Sequence, residues 1–193
     1  MPSAGEPPAG VGPAAEPWPE DPRLDPELLA HGDRRNVADL DERRHPFHVA
    51  VENWQHDLNI GAVVRNANAF LAAEVHIVGE RRWNRRGAMV TDRYQRVRHH
   101  PTLAAFADWA GGVSLPVLGV DNLPGSVAID GYPLPEACVL LFGQEGPGLS
   151  EEARALSAAV LAIRQFGSTR SINAAAASAV AMHEWVRRWA PER

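Results

Sequence analysis

Ile163-Arg164-Gln165-Phe166-Gly167-Ser168-Thr169-Arg170-Ser171-Ile172-Asn173 joins two stretches of different character. Before it, Ala159 to Ile163 is an apolar run of strand length. After it, the small residues Ala174 to Ala181 begin a helical pattern that continues to Trp189. A strand, a polar loop and a helix opened by Ser171 follow, and the alanines allow the helix to pack closely. Working outward, the same punctuation recurs twice. The run Val139-Leu140-Leu141-Phe142 leads into Gly143-Gln144-Glu145-Gly146-Pro147-Gly148-Leu149-Ser150, where Ser150 with Glu151 and Glu152 opens a helix. Asn59-Ile60-Gly61-Ala62-Val63-Val64-Arg65-Asn66 starts another helix, with Asn59 as its cap and Gly61 permitting close backbone approach.

From Pro46 onward, apolar runs alternate with amphipathic ones. Strands are expected at Phe47 to Val51, Glu74 to Val78, Pro116 to Val120, Cys138 to Phe142 and Ala159 to Ile163. Helices are expected at Ile60 to Leu71, Thr102 to Trp109, Ser150 to Leu156 and Ser171 to Trp189. This order implies an α/β fold, a mostly parallel sheet flanked by helices on both faces. Periodicity alone does not separate an open sheet from a knotted one. Residues 1–45 stand apart as a Pro-rich extension: eight of the 16 prolines occur by Pro26. That composition cannot bury enough apolar surface to offset its ordering entropy, so disorder is expected to about Pro22, with room for a short helix between Leu24 and Arg44. The folded domain is expected to span 46–193.

The polar residues of the three segments carry the chemistry. Asn59, Arg65 and Asn66 fall toward the N-terminal end of their helix, where free N–H groups and the helix dipole favour phosphate. Turn chemistry accounts for the glycines and Ser150 but leaves Glu145 unexplained. The strand ending at Gly119 and Val120 runs into Asp121-Asn122, and ligands of parallel sheets sit at the carboxyl ends of strands. Charge is unevenly spread. The net charge is −5, yet Arg81, Arg82, Arg85, Arg86, Arg93, Arg96 and Arg98 face a single acid, Asp92, between Arg81 and His100. Arginine forks match phosphate, and the interleaved Trp83 and Tyr94 suit unpaired bases, so these arginines and Arg65 are the RNA-binding candidates.

Other classes are disfavoured. All 19 basic residues are arginine, so there is no Walker lysine. No Gly-x-Gly-x-x-Gly turn follows the first strand, and no Gly-x-Ser-x-Gly elbow occurs. The eight histidines form no His-x-x-x-His pair and His99-His100 reads as a surface doublet, so no metal centre is expected. Cys138 is alone, which excludes an internal disulfide. No apolar run reaches the roughly 18 residues that span a bilayer, and no signal peptide is evident, so cytoplasmic residence is the expectation.

In their order and residue types, the three segments together resemble the signature motifs of the SpoU family of the SPOUT superfamily, knotted enzymes that methylate the ribose 2′-hydroxyl of RNA. The resemblance covers roughly Phe47 to Arg188. It implies a deep C-terminal trefoil knot, a homodimer with the active site completed across the interface, and S-adenosyl-L-methionine as cofactor. The matching catalytic positions are Arg65, Asn59, Glu145, Ser171 and Asn173, and the cofactor positions are Gly119, Val120, Phe142, Gly143, Ile163 and Ser171. Arg164-Gln165 stands where many relatives have Pro-Met, and alanines follow Asn173 where polar residues are common. The Gly-Ser-Thr-Arg-Ser stretch looks closer to the branch that methylates tRNA, which makes tRNA the first expected substrate and rRNA the second. A non-catalytic RNA-binding protein of the same fold is the alternative.

Overall fold

The structure is a computed structural model that describes residues 34–53, 59–169 and 171–190. The disorder expected up to Pro22 falls outside the described residues, as does Arg170. Among the described residues a seven-stranded sheet forms the centre: β1 (His48–Asn53), β2 (Val75–Gly79), β3 (Val97–His100), β4 (Val117–Val120), β5 (Val127–Ala128), β6 (Val139–Phe142) and β7 (Ala159–Ala162). The order is β3-β2-β1-β6-β4-β7-β5, and every pairing is parallel. Parallel neighbours need crossover connections, and these place helices on both faces.

Two cores result, one on each face. Val49, Val51, Leu140 and Phe142 point to one side, where they meet Ile60, Val63, Val64, Met182 and Trp185. The helices there are α2 (Ile60–Ala69) and α5 (Ala174–Trp189). Ala50, Val139 and Leu141 alternate to the other side, against Phe106 and Ala110 of α3 (Leu103–Gly112) and Ala153 of α4 (Glu151–Leu156). The five expected strands are all present, shifted by one or two residues at their ends. Two-sided burial is the reason they read as unbroken apolar runs.

A further helix, α1 (Arg34–Glu42), precedes the sheet within the stretch assigned by sequence to the extension. The end of this helix and the residues after it are anchored. Arg44 donates to Gln95 Oε1 (2.9 Å) and Ala72 O (3.2 Å), Asp41 pairs with Arg44 (2.6 Å) and Arg96 (2.8 Å), and the His45 ring lies 5.1 Å from that of Trp185. By its contacts the compact unit spans Arg34–Arg193.

β3 had no counterpart in the sequence reading because Val97-Arg98-His99-His100 lacks an apolar run. It is an edge strand whose Arg98 pairs with Glu74 at 3.0 Å. Strand alternation also corrects the surface reading of the histidine doublet: His99 reaches Gly79 O (2.7 Å), while His100 is buried. His100 ends a row of imidazoles from three adjacent strands. His48 Nδ1 lies 3.0 Å from His76 Nε2, and His76 Nδ1 lies 2.9 Å from His100 Nε2. Trp109 covers the row, its ring 3.9 Å from that of His76.

Burial, reinforced by repulsion from His48, His100 and Arg98, pushes the His76 pKa down to about 2. Burial likewise lowers His48 and His100. The folded protein therefore holds His76 neutral, while the unfolded chain protonates it below pH ~6.5. The stability this contributes is complete above that pH and is lost as pH falls toward 2. Urea unfolding is expected to show a steady loss between about pH 6.5 and pH 5, where His76 adds a slope approaching about 1.4 kcal/mol per pH unit. The non-titrating His76→Gln variant is expected to have a shallower slope over the same range, although its stability at neutral pH is lower.

Candidate active site

The carboxyl ends of β4, β6 and β7 open onto one pocket of about 300 Å³, lined by residues 120–123, 142–148, 163, 165, 171–174 and 177. Its floor is the loop after β6, where the chain closes on itself. Gln144 N donates to Gly148 O (3.1 Å) and Gly148 N to Gln144 O (3.0 Å). A Cβ on Gly143 would lie 2.1 Å from the carbonyl carbon of Gly148, and Gly148 itself has φ +75°. The loop is fastened to two strands. Asp121 Oδ2, just beyond β4, accepts from Leu149 N (2.9 Å), and the fully buried Glu52 of β1 accepts from Ser150 N (2.9 Å). Ser150 also caps α4 by accepting from Ala153 N (3.1 Å), as its position before two glutamates predicts.

Three polar side chains far apart in sequence meet at this loop. Asn173 caps α5, its Oδ1 accepting from Ala175 N (2.9 Å) and Ala176 N (3.3 Å). Its Nδ2 donates to Asn59 Oδ1 (2.9 Å) and, more weakly, to Glu145 Oε1 (3.4 Å). Asn59 Nδ2 in turn donates to Glu145 Oε2. Asn59 thus precedes α2 without the side-chain cap expected of it, because its amide is committed to Glu145 and Asn173. Asn66 turns away from the site to Ala175 O (2.8 Å) and Ser178 Oγ (3.0 Å), and so ties α2 to α5.

Of the expected cofactor positions, Val120, Phe142, Gly143, Ile163 and Ser171 line the pocket. Gly119 does not: a Cβ there would meet Leu149 Cδ1 at 2.8 Å and Ser157 Oγ at 2.9 Å, so this glycine serves packing against α4. Glu145 and Asn173 also line the pocket, whereas Asn59 reaches it through them and Arg65 is exposed on α2 outside its lining. Sequence reasoning missed Asp121 as the tether of the glycine loop, and it passed over Gln144 and Gln165. The signal for Asp121 was its place directly after a strand end.

The S-adenosylmethionine implied by the resemblance finds a fitting lining of apolar surface and hydrogen-bond acceptors. Val120, Phe142 and Ile163 offer apolar surface, and the buried oxygens Gln144 Oε1 and Gln165 Oε1 have no hydrogen-bond partner among the described residues. A ligand bearing amino groups supplies the donors that these oxygens lack. The arginines divide into two sets. Arg96 and Arg98 are engaged along β3 with Asp41 and Glu74. Arg81, Arg82, Arg85, Arg86 and Arg93 are exposed on the connection between β2 and β3, where Arg85 also pairs with Asp92 (3.4 Å). Among the described residues, one group of possible metal ligands occurs, His48, Glu74 and His76, with ligand atoms within 4.8 Å of one another. None of the three lines the pocket.

A family model described as the SpoU rRNA methylase family matches residues 46–183. The chain belongs to that family. It is 32% identical over 174 residues to an uncharacterized tRNA/rRNA methyltransferase of Mycobacterium ulcerans, covering 86% of this chain and 54% of that protein. It is 30% identical over 155 residues to the tRNA (guanosine(18)-2′-O)-methyltransferase of Escherichia coli, covering 77% and 66%. Among solved structures, the AdoMet-bound rRNA methyltransferase of Sinorhizobium meliloti superposes with a TM-score of 0.68 at 25% identity, over 79% of this chain and 61% of that one. The chain spans about half the length of the first of these curated relatives. In this SpoU-family chain, residues of the second and third segments line one pocket, and Asn59 of the first joins them through Glu145 and Asn173.

Two substitutions test this geometry. Asn173→Ala removes a helix cap and both amide contacts, and denaturant unfolding is expected to show a loss of about 1–2 kcal/mol, whereas Asn173→Ser keeps a capping oxygen and is expected to lose less. Gly143→Ala forces apart two backbone segments that are in contact, so it is expected to cost more than either, about 3 kcal/mol.

Proposed function

We propose that this chain is an S-adenosyl-L-methionine-dependent RNA methyltransferase that acts on a ribose 2′-hydroxyl, of tRNA first and rRNA second. The observation that carries this reading is the junction of Asn59, Glu145 and Asn173 beside a pocket whose buried acceptors suit the cofactor. The bound cofactor would supply an electrophilic methyl group. Val120, Phe142, Gly143, Ile163 and Ser171 would hold it, with Gln144 and Gln165 accepting from its amino groups. The Glu145 carboxylate, fixed by two side-chain amides, presents acceptor oxygen at the pocket's edge, where a ribose hydroxyl can donate. Arg65 is solvent-exposed and has no ion-pair partner among the described residues, so its guanidinium is available to clamp the neighbouring phosphodiester. A guanidinium keeps its proton in proteins, so Arg65 orients better than it accepts a proton. Orientation of this kind accounts for much of the rate when neutral oxygen attacks a cationic donor.

The homodimer belongs to the same proposal. Arg65 stands outside the pocket lining of its own chain, which is the arrangement expected of a site completed by a second copy. The trefoil knot and cytoplasmic residence are carried with it. Among the described residues no helix is long and apolar enough to cross a membrane.

Calorimetric titration with S-adenosylmethionine and S-adenosylhomocysteine is expected to give saturable binding, and labelled methyl transfer is expected into total tRNA ahead of rRNA. Arg65→Ala is expected to lower kcat/KM by about a hundredfold while leaving thermal stability and cofactor binding unchanged. A wild-type chain that binds RNA and never transfers methyl would overturn the reading in favour of a binding protein, whereas an Arg65→Ala variant with full activity would overturn only the role given to Arg65.

A further inference from the structure

The connection between β2 and β3 presents two apolar side chains to solvent. Met89 and Val90 are 65% and 52% exposed at its tip. Both have left-handed backbones, with φ of 46° and 73°. That conformation is costly for residues with a Cβ and worst for β-branched ones such as valine. The tip is nevertheless well held. Ala88 beneath it is fully buried, Thr91 Oγ1 donates to Ala88 O (2.6 Å), and Arg93 N donates to Val90 O (3.1 Å). The base is anchored too. Asn53 Nδ2 donates to Glu80 O (2.7 Å) and Arg82 O (2.9 Å). Gly61 of α2 lies so near that a Cβ on it would be 2.7 Å from Asn84 O. Strain that the surroundings impose in this way is characteristic of functional positions.

The surroundings also indicate what the tip meets. Arg81, Arg82, Arg85, Arg86 and Arg93 are exposed in the same connection, and the Arg85 guanidinium lies 5.5 Å from the Trp83 ring centre. A second copy offering the same tip would bring like charges together. Looped or single-stranded RNA instead offers apolar base faces within reach of phosphates. Arg65, four residues after Gly61, falls on the same side of α2 as this connection.

We propose that Met89 and Val90 form an apolar wedge that stacks on an unpaired base of the RNA, while the neighbouring arginines hold its phosphates. This rests on the reading of the chain as an RNA methyltransferase and adds how its substrate is gripped. The test is filter binding of transcribed, unmodified tRNA by the full chain over a range of salt, with thermal melting of every variant. In the Met89→Ser/Val90→Asn double variant, asparagine relieves the left-handed strain, so the melting temperature is expected to hold or rise. Its tRNA affinity is expected to fall about tenfold, with the dependence of log K on log salt unchanged because no phosphate contact is lost. Arg86→Ala is expected to make that dependence shallower by about one contact. A folded double variant that binds tRNA like the wild type overturns the wedge. So does a wild-type chain that binds neither tRNA nor single-stranded RNA at low salt, or a double variant that loses only self-association in sedimentation. If the methyltransferase reading alone fails, methyl transfer is absent while the tenfold loss remains.

Discussion

The backbone at Gly143 lies against the backbone at Gly148, and no side chain fits between them. Everything around the pocket follows from that contact. Because the chain closes so tightly after β6, Glu145 is carried at the tip of a short loop and Leu149 and Ser150 return at once to the sheet. There their amides meet two carboxylates, Asp121 and Glu52, from different strands. The loop is a backbone structure fixed by side chains from elsewhere, and this is why it can hold Glu145 still without spending that residue on its own folding.

The sequence made the centre of the fold legible because both faces of the sheet are covered. Val49 and Ala50, or Leu140 and Leu141, belong to opposite cores, so neither face needed a polar residue to interrupt the run. It failed at the edge. Val97 to His100 has one side toward solvent and the other against histidines and Trp109, so its burial is aromatic and polar rather than aliphatic. Of the site, the residue types were legible and their partners were not. Asn59 sits where a cap belongs, and only the approach of Asn173 and Glu145 shows that its amide is used otherwise. Gly119 belongs to a strand that borders the pocket, but which face its missing side chain would occupy is a matter of register.

Charge is partitioned with similar economy. Arg96 and Arg98 resemble their neighbours in sequence, yet Asp41 and Glu74 engage them at the sheet edge. The arginines of the preceding connection stand in solvent on a chain of net charge −5. A basic segment of one sequence is therefore two structures, one that fastens α1 and β3 and one that faces outward.

The row His48, His76 and His100 has a property beyond its packing. Each neutral ring has one nitrogen that gives and one that receives, and the rings are linked Nδ1 to Nε2 throughout. If His48 gives to His76, then His76 must give to His100; if His100 gives, the whole row reverses. Only two proton arrangements satisfy both links, and passing between them requires every ring to change tautomer. Three strands are thus joined by a one-dimensional polarity, so that a hydrogen bond made to the outer nitrogen of either end ring selects the tautomer of the ring at the other end.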